Sequence, residues 1–268
     1  MRDYIELSRS VAGKKAIVTG AASGMGRATA HLLAREGAHV AVTDLDQTAC
    51  DKIVGEIEAA GFTNAKAYVM DMSDNAAIAS VAKSIIDDFG GLDIVINNAA
   101  LFTASPTVEI TTQDFEKLYA VNVFGTLFTI QAAAKQMIAQ GHGGKIINMA
   151  SQAGRRGEPY VAVYCSTKAA VISITQSTGL DLIKHGINVN AISPGVVDGE
   201  HWDHVDSLFA KWEGKELGQK KKEVAAGVPF GRFGKPEDLV GMAIFLASDD
   251  AEYVVAQTYN VDGGQWMS

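Results

Sequence analysis

The sequence predicts an α/β fold: one parallel sheet of about seven strands, with helices on both of its faces. Short apolar runs of strand length alternate along the 268 residues with longer stretches of helical periodicity. The first apolar run leads through a glycine-rich turn into a helix, and small or polar residues follow several later runs. Open α/β sheets bind ligands at those strand ends. No repeat or linker divides the sequence, so we expect a single catalytic domain over residues 1–268.

Composition and charge exclude several classes of partner. The net charge is −8, and the basic residues are dispersed except at Lys220–Lys222, which we interpret as a solvated helix face. This distribution predicts no nucleic-acid partner and no membrane surface as partner. Two cysteines are too few for a disulfide framework, and no apolar run reaches the ~18 residues of a membrane span. We therefore expect a cytoplasmic protein.

The first strand, Lys15–Thr19, runs directly into a turn with glycines at positions 20, 24 and 26, and a helical pattern follows over Arg27–Glu36. This arrangement places a helix N-terminus and bare backbone N–H groups against a pyrophosphate, as in a Rossmann-type fold. A glycine turn can also be a plain connector. Its position between a buried strand and a helix favours the phosphate site.

The second strand, His39–Thr43, ends at Asp44, about twenty residues beyond the glycine turn. A carboxylate there accepts both hydroxyls of an adenosine ribose and repels a 2′-phosphate, which indicates NAD rather than NADP. Asp44 could instead cap the next helix, a role that Asp46 could share. The third strand, Ala65–Met70, ends at Asp71. We interpret Asp71 either as a partner of the adenine amine or as a turn residue.

The fourth strand, Ile94–Ile96, ends in Asn97-Asn98-Ala99-Ala100, whose small and polar side chains let the backbone approach a flat ligand. One long helix is predicted over Thr112–Ile138. Asn122 lies inside it among apolar residues. A buried asparagine within a helix needs a specific reason, since its amide competes for backbone groups.

The fifth strand, Lys145–Met149, is followed by Ser151, and the next helical pattern carries Tyr164 and Lys168. Residues four apart share one helix face, so the ammonium should lie beside the phenol. An adjacent cation lowers a tyrosine pKa, and we expect the pKa of Tyr164 to fall from about 10 toward neutrality. Tyr164 would then serve as a general acid and base. Taken alone, the pair would more often be two surface residues of an ordinary helix, because helices contain many such pairs.

The sixth strand, Ile187–Ile192, is followed by Ser193-Pro194-Gly195, and residues 198–231 then break the alternation of strand and helix. A segment of this length predicts a lid over a pocket. His201 and His204 lie within it, but without a third ligand they do not predict a metal site. The closing elements are a helix over Pro236–Leu246 and a strand over Thr258–Val261.

Together these motifs resemble the short-chain dehydrogenase/reductase family over essentially the whole chain. The motifs are Thr19-Gly20-x-x-x-Gly24-x-Gly26, Asn97-Asn98-Ala99, Asn122, Ser151, Tyr164-x-x-x-Lys168 and Pro194-Gly195. The resemblance implies four catalytic residues: Tyr164 as acid and base, Lys168 as its neighbour, Ser151 orienting the substrate oxygen, and Asn122 anchoring a proton relay. Two residues depart from the family pattern. Ala100 occupies a position where the family usually has glycine. Gly199 occupies a position where the family often has a threonine that hydrogen-bonds to the carboxamide of the nicotinamide.

The resemblance also implies the binding residues and the assembly. Within the family, the chain resembles the bacterial polyol dehydrogenases that act on sorbitol (glucitol), which implies NAD-dependent oxidation of D-sorbitol to D-fructose, and of galactitol and related polyols, by a homotetramer. The residues expected to bind NAD are Gly20, Ser23, Gly24, Met25, Gly26, Asp44, Leu45, Asp71, Met72, Asn98, Ala99, Tyr164, Lys168, Pro194, Gly195 and Val197. The residues expected at the polyol or ketose are Ser151, Gln152, Tyr164, Glu200, His201 and Trp202.

Two other classes of function stay open. One is a different short-chain reductase that acts on 3-oxoacyl thioesters or hydrophobic alcohols; the polar residues from Glu200 to His204 weigh against it. The other is a non-catalytic protein that senses the dinucleotide. The intact set of Ser151, Tyr164 and Lys168 weighs against that role.

Overall fold

Strands and helices alternate along the chain in a computed structural model, which describes residues 9–267; residues 1–8 and 268 of the predicted domain lie outside the described part. The strands are β1 Lys15–Thr19, β2 His39–Asp44, β3 Ala65–Val69, β4 Ile94–Asn97, β5 Gly144–Met149, β6 Ile187–Pro194 and β7 Thr258–Val261. The helices are α1 Gly24–Arg35, α2 Gln47–Ala59, α3 Asn75–Phe89, α4 Thr112–Tyr119, α5 Thr126–Gln140, α6 Ala162–Leu182, α7 Glu200–Glu213, α8 Gln219–Ala226 and α9 Pro236–Ala247.

The seven strands form one sheet in the order β3-β2-β1-β4-β5-β6-β7, and every neighbouring pair is parallel. This confirms the predicted fold class. The order reverses between β1 and β4, because β1 pairs with β2 on one side and with β4 on the other. A crevice opens at the carboxyl ends of strands that diverge in this way, and ligands bind there.

The core has two layers because successive side chains of a strand point to opposite faces. Val18 packs with the side chains of α1, α2 and α9 on one face, whereas Ile17 packs with those of α3 and α5 on the other. The inner strands β1, β4, β5 and β6 are buried almost throughout. Their continuous apolar runs, from which the strands were predicted, are typical of a sheet covered on both sides.

The predicted long helix over 112–138 is interrupted, which corrects that prediction. Helix α4 ends at Tyr119, a π-helical segment spans Ala120–Gly125, and α5 continues from Thr126. The interruption contains the buried Asn122, whose carbonyl accepts a hydrogen bond from the Thr126 hydroxyl at 2.8 Å. A π-helical turn inserts an extra residue without breaking the helix, so the apolar pattern on both sides persists.

The predicted lid over 198–231 contains α7 and α8, which pack against each other. The buried Asp206 on α7 accepts backbone N–H bonds from Gly218 and Lys221 at the start of α8. The Lys221 ammonium also lies 2.7 Å from a carboxylate oxygen of Asp198 and 2.7 Å from one of Asp203. Lys221 is therefore a structural contact of the lid, which corrects its interpretation as part of a solvated face. No helix within residues 9–267 is long and apolar enough to cross a membrane.

Candidate active site

At Gly20 and Gly26, the glycine turn leaves no room for a side chain between β1 and β4. Gly20 has a φ of +62°, and a Cβ on Gly26 would lie 2.2 Å from the Gly20 carbonyl oxygen and 2.5 Å from Nδ2 of Asn98. Helix α1 begins inside the turn at Gly24, three residues earlier than predicted, because the Arg27 N–H already bonds to the Ser23 carbonyl at 3.0 Å. Bare N–H groups at a helix start fit a pyrophosphate.

Asp44 is fixed at the carboxyl end of β2 and lines the cavity that opens there. Its carboxylate accepts the N–H of Ala22 at 3.1 Å and that of Leu45 at 2.8 Å. The cap of α2 is Asp46, which accepts the N–H groups of Thr48 and Ala49. The alternative interpretation of Asp44 as a helix cap is therefore wrong, and its contact with a ribose stays a prediction.

Asp71 is a turn residue that also lines the cavity. Its Oδ1 accepts bonds from the Ser73 N–H at 2.8 Å and from the Ser73 hydroxyl at 2.7 Å. These two bonds lower the pKa of the Asp71 carboxyl. Both alternatives stated for Asp71 are thus compatible with its position in the fold.

A hydroxyl absent from the predicted site residues joins the turn to β4. The Thr19 Oγ1 accepts the N–H groups of Asn98 at 3.0 Å and Ala99 at 3.1 Å. The Asn98 amide in turn donates to the carbonyls of Thr19 and Gly20. These bonds fix the strand ends between which a flat ligand would lie. The position of Thr19 just before the turn was the available signal.

Ser151, Tyr164 and Lys168 meet at the carboxyl end of β5. Ser151 and Tyr164 line the same cavity, and the Tyr164 ring lies edge-on to Phe102 with centroids 4.8 Å apart. Lys168 is only 4% exposed, and its ammonium donates to the Met149 carbonyl at 2.7 Å. Its Nζ lies 5.7 Å from the centroid of the Tyr164 ring. The geometry therefore brings a hydroxyl, a phenol and a cation to one point, as the sequence predicted.

The expected lowering of the Tyr164 pKa is wrong for this arrangement. Burial raises the pKa of Tyr164 to about 12, and the Ser151 hydroxyl opposes that rise only in part. Burial also lowers the pKa of Lys168 to about 8. The attraction between the two groups favours both charges, but both groups also lose water on burial, and that loss disfavours either charge. The ammonium is also directed at the Met149 carbonyl.

Asn122 lies behind the cavity rather than on its wall, and it is 1% exposed. Its amide bonds to both backbone groups of Leu101, accepting at 2.8 Å and donating at 2.9 Å, and donates to the Thr167 hydroxyl at 3.1 Å. Thr167 belongs to the same helix as Tyr164. Asn122 thus connects the loop after β4 to the helix that carries Tyr164.

The predicted residues surround one cavity of about 1260 Å³. Of the predicted residues, the lining includes Gly20, Ser23, Gly24, Met25, Asp44, Leu45, Asp71, Met72, Asn98, Ala99, Ser151, Gln152, Tyr164, Lys168, Pro194, Gly195, Val197, His201 and Trp202. Gly26 supports the glycine turn from beneath. Glu200 is exposed in the first turn of α7 and is not part of the lining. Its predicted contact with substrate stays a prediction, whereas the next two residues of the helix, His201 and Trp202, line the cavity.

One end of the cavity is aromatic and belongs to the predicted lid. The His201 ring lies 5.5 Å from Phe102, and Trp202 packs edge-on against Phe233 at 4.9 Å. Burial lowers the pKa of His201, and Lys168 adds to the effect. The lining residues that sequence reasoning missed include Phe102, Arg156, Glu158, Val205, Phe209, Glu213, Lys220 and Gln265. Most belong to loops and the lid, where no periodic pattern marks an inward side chain.

Comparisons with known proteins agree with this geometry. Residues 20–265 match a family model described as enoyl-(acyl carrier protein) reductase. The chain is 59% identical to a sorbitol dehydrogenase of Cereibacter sphaeroides, over 96% of this chain and 98% of that protein. It is 53% identical to a galactitol 2-dehydrogenase of Agrobacterium fabrum, over 95% of this chain and 98% of that protein.

Solved structures give the same result. A gluconate 5-dehydrogenase from Burkholderia cenocepacia, determined with NADP and tartrate, superimposes with a TM-score of 0.85 at 31% identity, covering 96% of each chain. The chain belongs to the short-chain dehydrogenase/reductase family, whose members are oxidoreductases that use a nicotinamide dinucleotide.

Proposed function

We propose that this protein is an NAD-dependent polyol dehydrogenase that oxidises D-sorbitol to D-fructose and also accepts galactitol. The observation that carries the proposal is the convergence of Ser151, Tyr164 and Lys168 in a cavity that also has polar walls. The two relatives named for sorbitol and galactitol, each more than half identical over nearly the full chain, support this substrate class.

The preference for NAD rests on Asp44. Its carboxylate is held by two backbone N–H groups at the end of β2, where it would accept ribose hydroxyls and repel a 2′-phosphate. The similar gluconate 5-dehydrogenase was determined with NADP, so the family fold alone does not decide the cofactor. The glycine turn, in which a side chain at Gly20 or Gly26 would collide with backbone, fits the pyrophosphate of either dinucleotide.

The residues of this chain move and hold a proton. Tyr164 accepts the proton of the substrate hydroxyl during oxidation and returns it during reduction, while Ser151 orients the same oxygen and stabilises its developing charge. Lys168 stabilises the phenolate, and Asn122 positions the helix of Tyr164 through Thr167. A nicotinamide, when bound, supplies the hydride chemistry. Because burial raises the pKa of Tyr164 to about 12, we expect oxidation, which uses the phenolate, to accelerate as the pH rises from neutrality, and ketose reduction, which uses the neutral phenol, to keep its rate until the pH approaches that pKa.

The decisive measurement is NADH formation with sorbitol, galactitol, mannitol and xylitol, repeated with NADP. We expect turnover of sorbitol with NAD and much weaker turnover with NADP. Absence of NADH with every polyol would contradict the proposal and favour the dinucleotide sensor. Faster turnover of a 3-oxoacyl thioester or a hydrophobic alcohol would favour the other reductase class.

Tyr164→Phe tests the assigned mechanism within the same assay. Removing the phenol hydroxyl removes the general acid and base, and such groups contribute about 10²- to 10⁴-fold in rate. We expect turnover to fall by that factor while the dissociation constant for NAD, measured by fluorescence titration, stays within about threefold. Turnover retained at the wild-type level would contradict the role of Tyr164.

A further inference from the structure

Helix α7 is attached to the loop that follows β4 by one directional bond. The helix and the loop both line the cavity, the helix with Trp202 and the loop with Phe102. In the last turn of α7, the indole N–H of Trp212 donates to the Ala104 carbonyl at 2.8 Å. Within residues 9–267 it is the only hydrogen bond between α7 and this loop. The bond therefore connects the lid to a second wall of the cavity.

The loop end of this bond is fixed on both sides of Ala104. Before it, the Leu101 backbone is bonded to the Asn122 amide at 2.8 and 2.9 Å. After it, the Ser105 N–H donates to the Tyr160 carbonyl at 2.7 Å. Ala104 itself is 3% exposed. A carbonyl held in this way is a rigid acceptor, so little freedom is lost when the indole bonds to it.

Apolar packing surrounds the bond and reaches the reacting groups. Ala104 and Phe209 of α7 belong to one buried cluster. Phe102 packs against that cluster, and its ring centroid lies 4.8 Å from that of Tyr164 and 5.5 Å from that of His201. Apolar contacts have no preferred direction, so they permit a helix to slide along a loop. The indole N–H bonds to one carbonyl and therefore fixes where α7 lies.

The charged contacts of the lid do not replace this bond. The Lys221 ammonium joins α8 to Asp198 and Asp203, whose side chains are 55% and 67% exposed. None of these three residues belongs to the loop after β4, and exposed ion pairs are weak and are screened by salt. Lys221 thus orders the lid internally, whereas Trp212 attaches the lid to the rest of the cavity wall.

We propose that Trp212 is a positioning residue whose bond to Ala104 holds α7 closed over the cavity and keeps Phe102 against Tyr164. This inference rests on the proposed dehydrogenase function, because the groups that it positions are those of the proposed reaction. Without the bond, the buried Ala104 carbonyl is left unpaired in the closed arrangement, and an unpaired buried acceptor is costly. The balance then shifts toward an arrangement in which α7 has moved away, and substrate binds less tightly.

Trp212→Phe tests this role, because phenylalanine keeps an aromatic ring but lacks the N–H. The control is Lys222→Met on α8, since the Lys222 side chain is exposed and has no hydrogen-bond or ion-pair partner in the described part of the chain. Hydrogen exchange followed by mass spectrometry measures the opening of α7 without any substrate. We expect the amides of residues 200–213 to exchange about 3- to 10-fold faster in Trp212→Phe. The amides of β1 and β4, and all amides of the control, should keep their wild-type rates.

Three results of the exchange experiment would overturn the proposal. The first is unchanged exchange in α7 of Trp212→Phe. The second is equal acceleration throughout the sheet, which would mean a general loss of stability. The third is equal acceleration of α7 in the Lys222→Met control.

Steady-state kinetics with sorbitol and NAD supply a second readout. We expect KM for sorbitol to rise about 3- to 10-fold in Trp212→Phe, with kcat within about threefold of the wild-type value, since closure acts on binding. A variant that merely lost folded protein would show a lower kcat at an unchanged KM, and that result would overturn the positioning role. If the wild-type protein oxidises no polyol, the proposed function fails, whereas exchange in α7 still tests the bond. If the wild type oxidises sorbitol and KM is unchanged in the variant, only the role of Trp212 fails.

Discussion

At the residue scale, two aspartates near the end of β2 have separate roles that mutagenesis can distinguish. Asp44 lines the cavity and Asp46 caps α2. We expect Asp44→Asn to weaken NAD binding about 10-fold or more. The preference for NAD over NADP should also become smaller, since the repulsion of a 2′-phosphate is lost. We expect Asp46→Ala to lower the free energy of unfolding by about 1 kcal/mol without changing the cofactor ratio.

Steady-state kinetics with both dinucleotides and urea unfolding of both variants make this comparison. An unchanged ratio of the two cofactors in Asp44→Asn would count against its contact with ribose. If the ratio of the two cofactors also changed in Asp46→Ala, any disturbance near α2 would alter cofactor choice. A changed ratio in Asp44→Asn would then not support a contact between Asp44 and ribose.

A second prediction at this scale concerns Lys168 and the stability of the protein rather than its catalytic rate. Its pKa is lowered from 10.5 to about 8 by burial. Between these values the unfolded chain binds the proton and the folded chain does not, so the free energy of unfolding rises with pH. The cost of burying the ammonium, on the order of 3 kcal/mol, is fully present below pH 8 and disappears as the pH approaches 10.5.

We therefore expect Lys168→Met to be more stable than the wild-type protein at pH 7, by about 1 to 2 kcal/mol after loss of the bond to the Met149 carbonyl. At pH 10 the advantage should vanish or reverse. Urea unfolding at both pH values and at one fixed protein concentration measures this difference. A stability difference that is independent of pH would contradict the inferred charge of the buried lysine.

At the scale of the elements, the π-helical segment ends at a glycine that packs against the turn after β3. A Cβ on Gly125 would lie 2.5 Å from the Met72 carbonyl oxygen. Gly125→Ala should push the Asp71–Met72 turn into the cavity, lower stability by about 1 to 3 kcal/mol and weaken NAD binding. Gly55→Ala on α2 is the matched control, because no heavy atom lies within 4 Å of its Cβ.

The control should instead stabilise the protein by about 0.5 to 1 kcal/mol, since alanine favours a helix over glycine. Thermal unfolding and NAD titration of both variants provide the comparison. If Gly125→Ala were as well tolerated as Gly55→Ala, the close packing of the π-helical segment against the turn would not hold in solution.

The elements also show what a sequence can predict. Helix α9 begins at the predicted residue, Pro236, because proline suits the first helical position and the Asp238 carboxylate accepts the Lys235 N–H just before it. The π-helical segment around Asn122 was not predictable in form, since one inserted residue leaves the flanking apolar pattern intact. Its only signal was a polar residue in an apolar stretch, which correctly indicated that Asn122 needs buried partners.

At the scale of the whole molecule, topology decides which predicted residues meet. Parallel strands place their carboxyl ends on one edge, so residues that follow β1, β2, β4, β5 and β6 surround one cavity. That part of the site follows from the sequence pattern. The far wall does not, because Arg156, Phe209 and Gln265 reach it from loops, the lid and the C-terminal segment. The predicted direction of the Tyr164 pKa shift was wrong for a related reason. The burial of the Tyr164 side chain, which raises its pKa, depends on all the elements packed around it.

Assembly is the remaining question at this scale, and the surface supports the homotetramer that we propose from the family. Helices α5 and α6 pack side by side and expose large apolar side chains, with Leu180 at 70% and Ile138 at 42% exposure.

We expect light scattering to give a mass about four times 28.3 kDa. Leu180→Glu should shift the protein to smaller species, because an interface that buries a leucine gains about 1.5 to 3 kcal/mol from it. Leu217→Glu, at a position 77% exposed in the lid, should leave the mass unchanged; a monomeric wild type, or equal behaviour of both variants, would refute this interface.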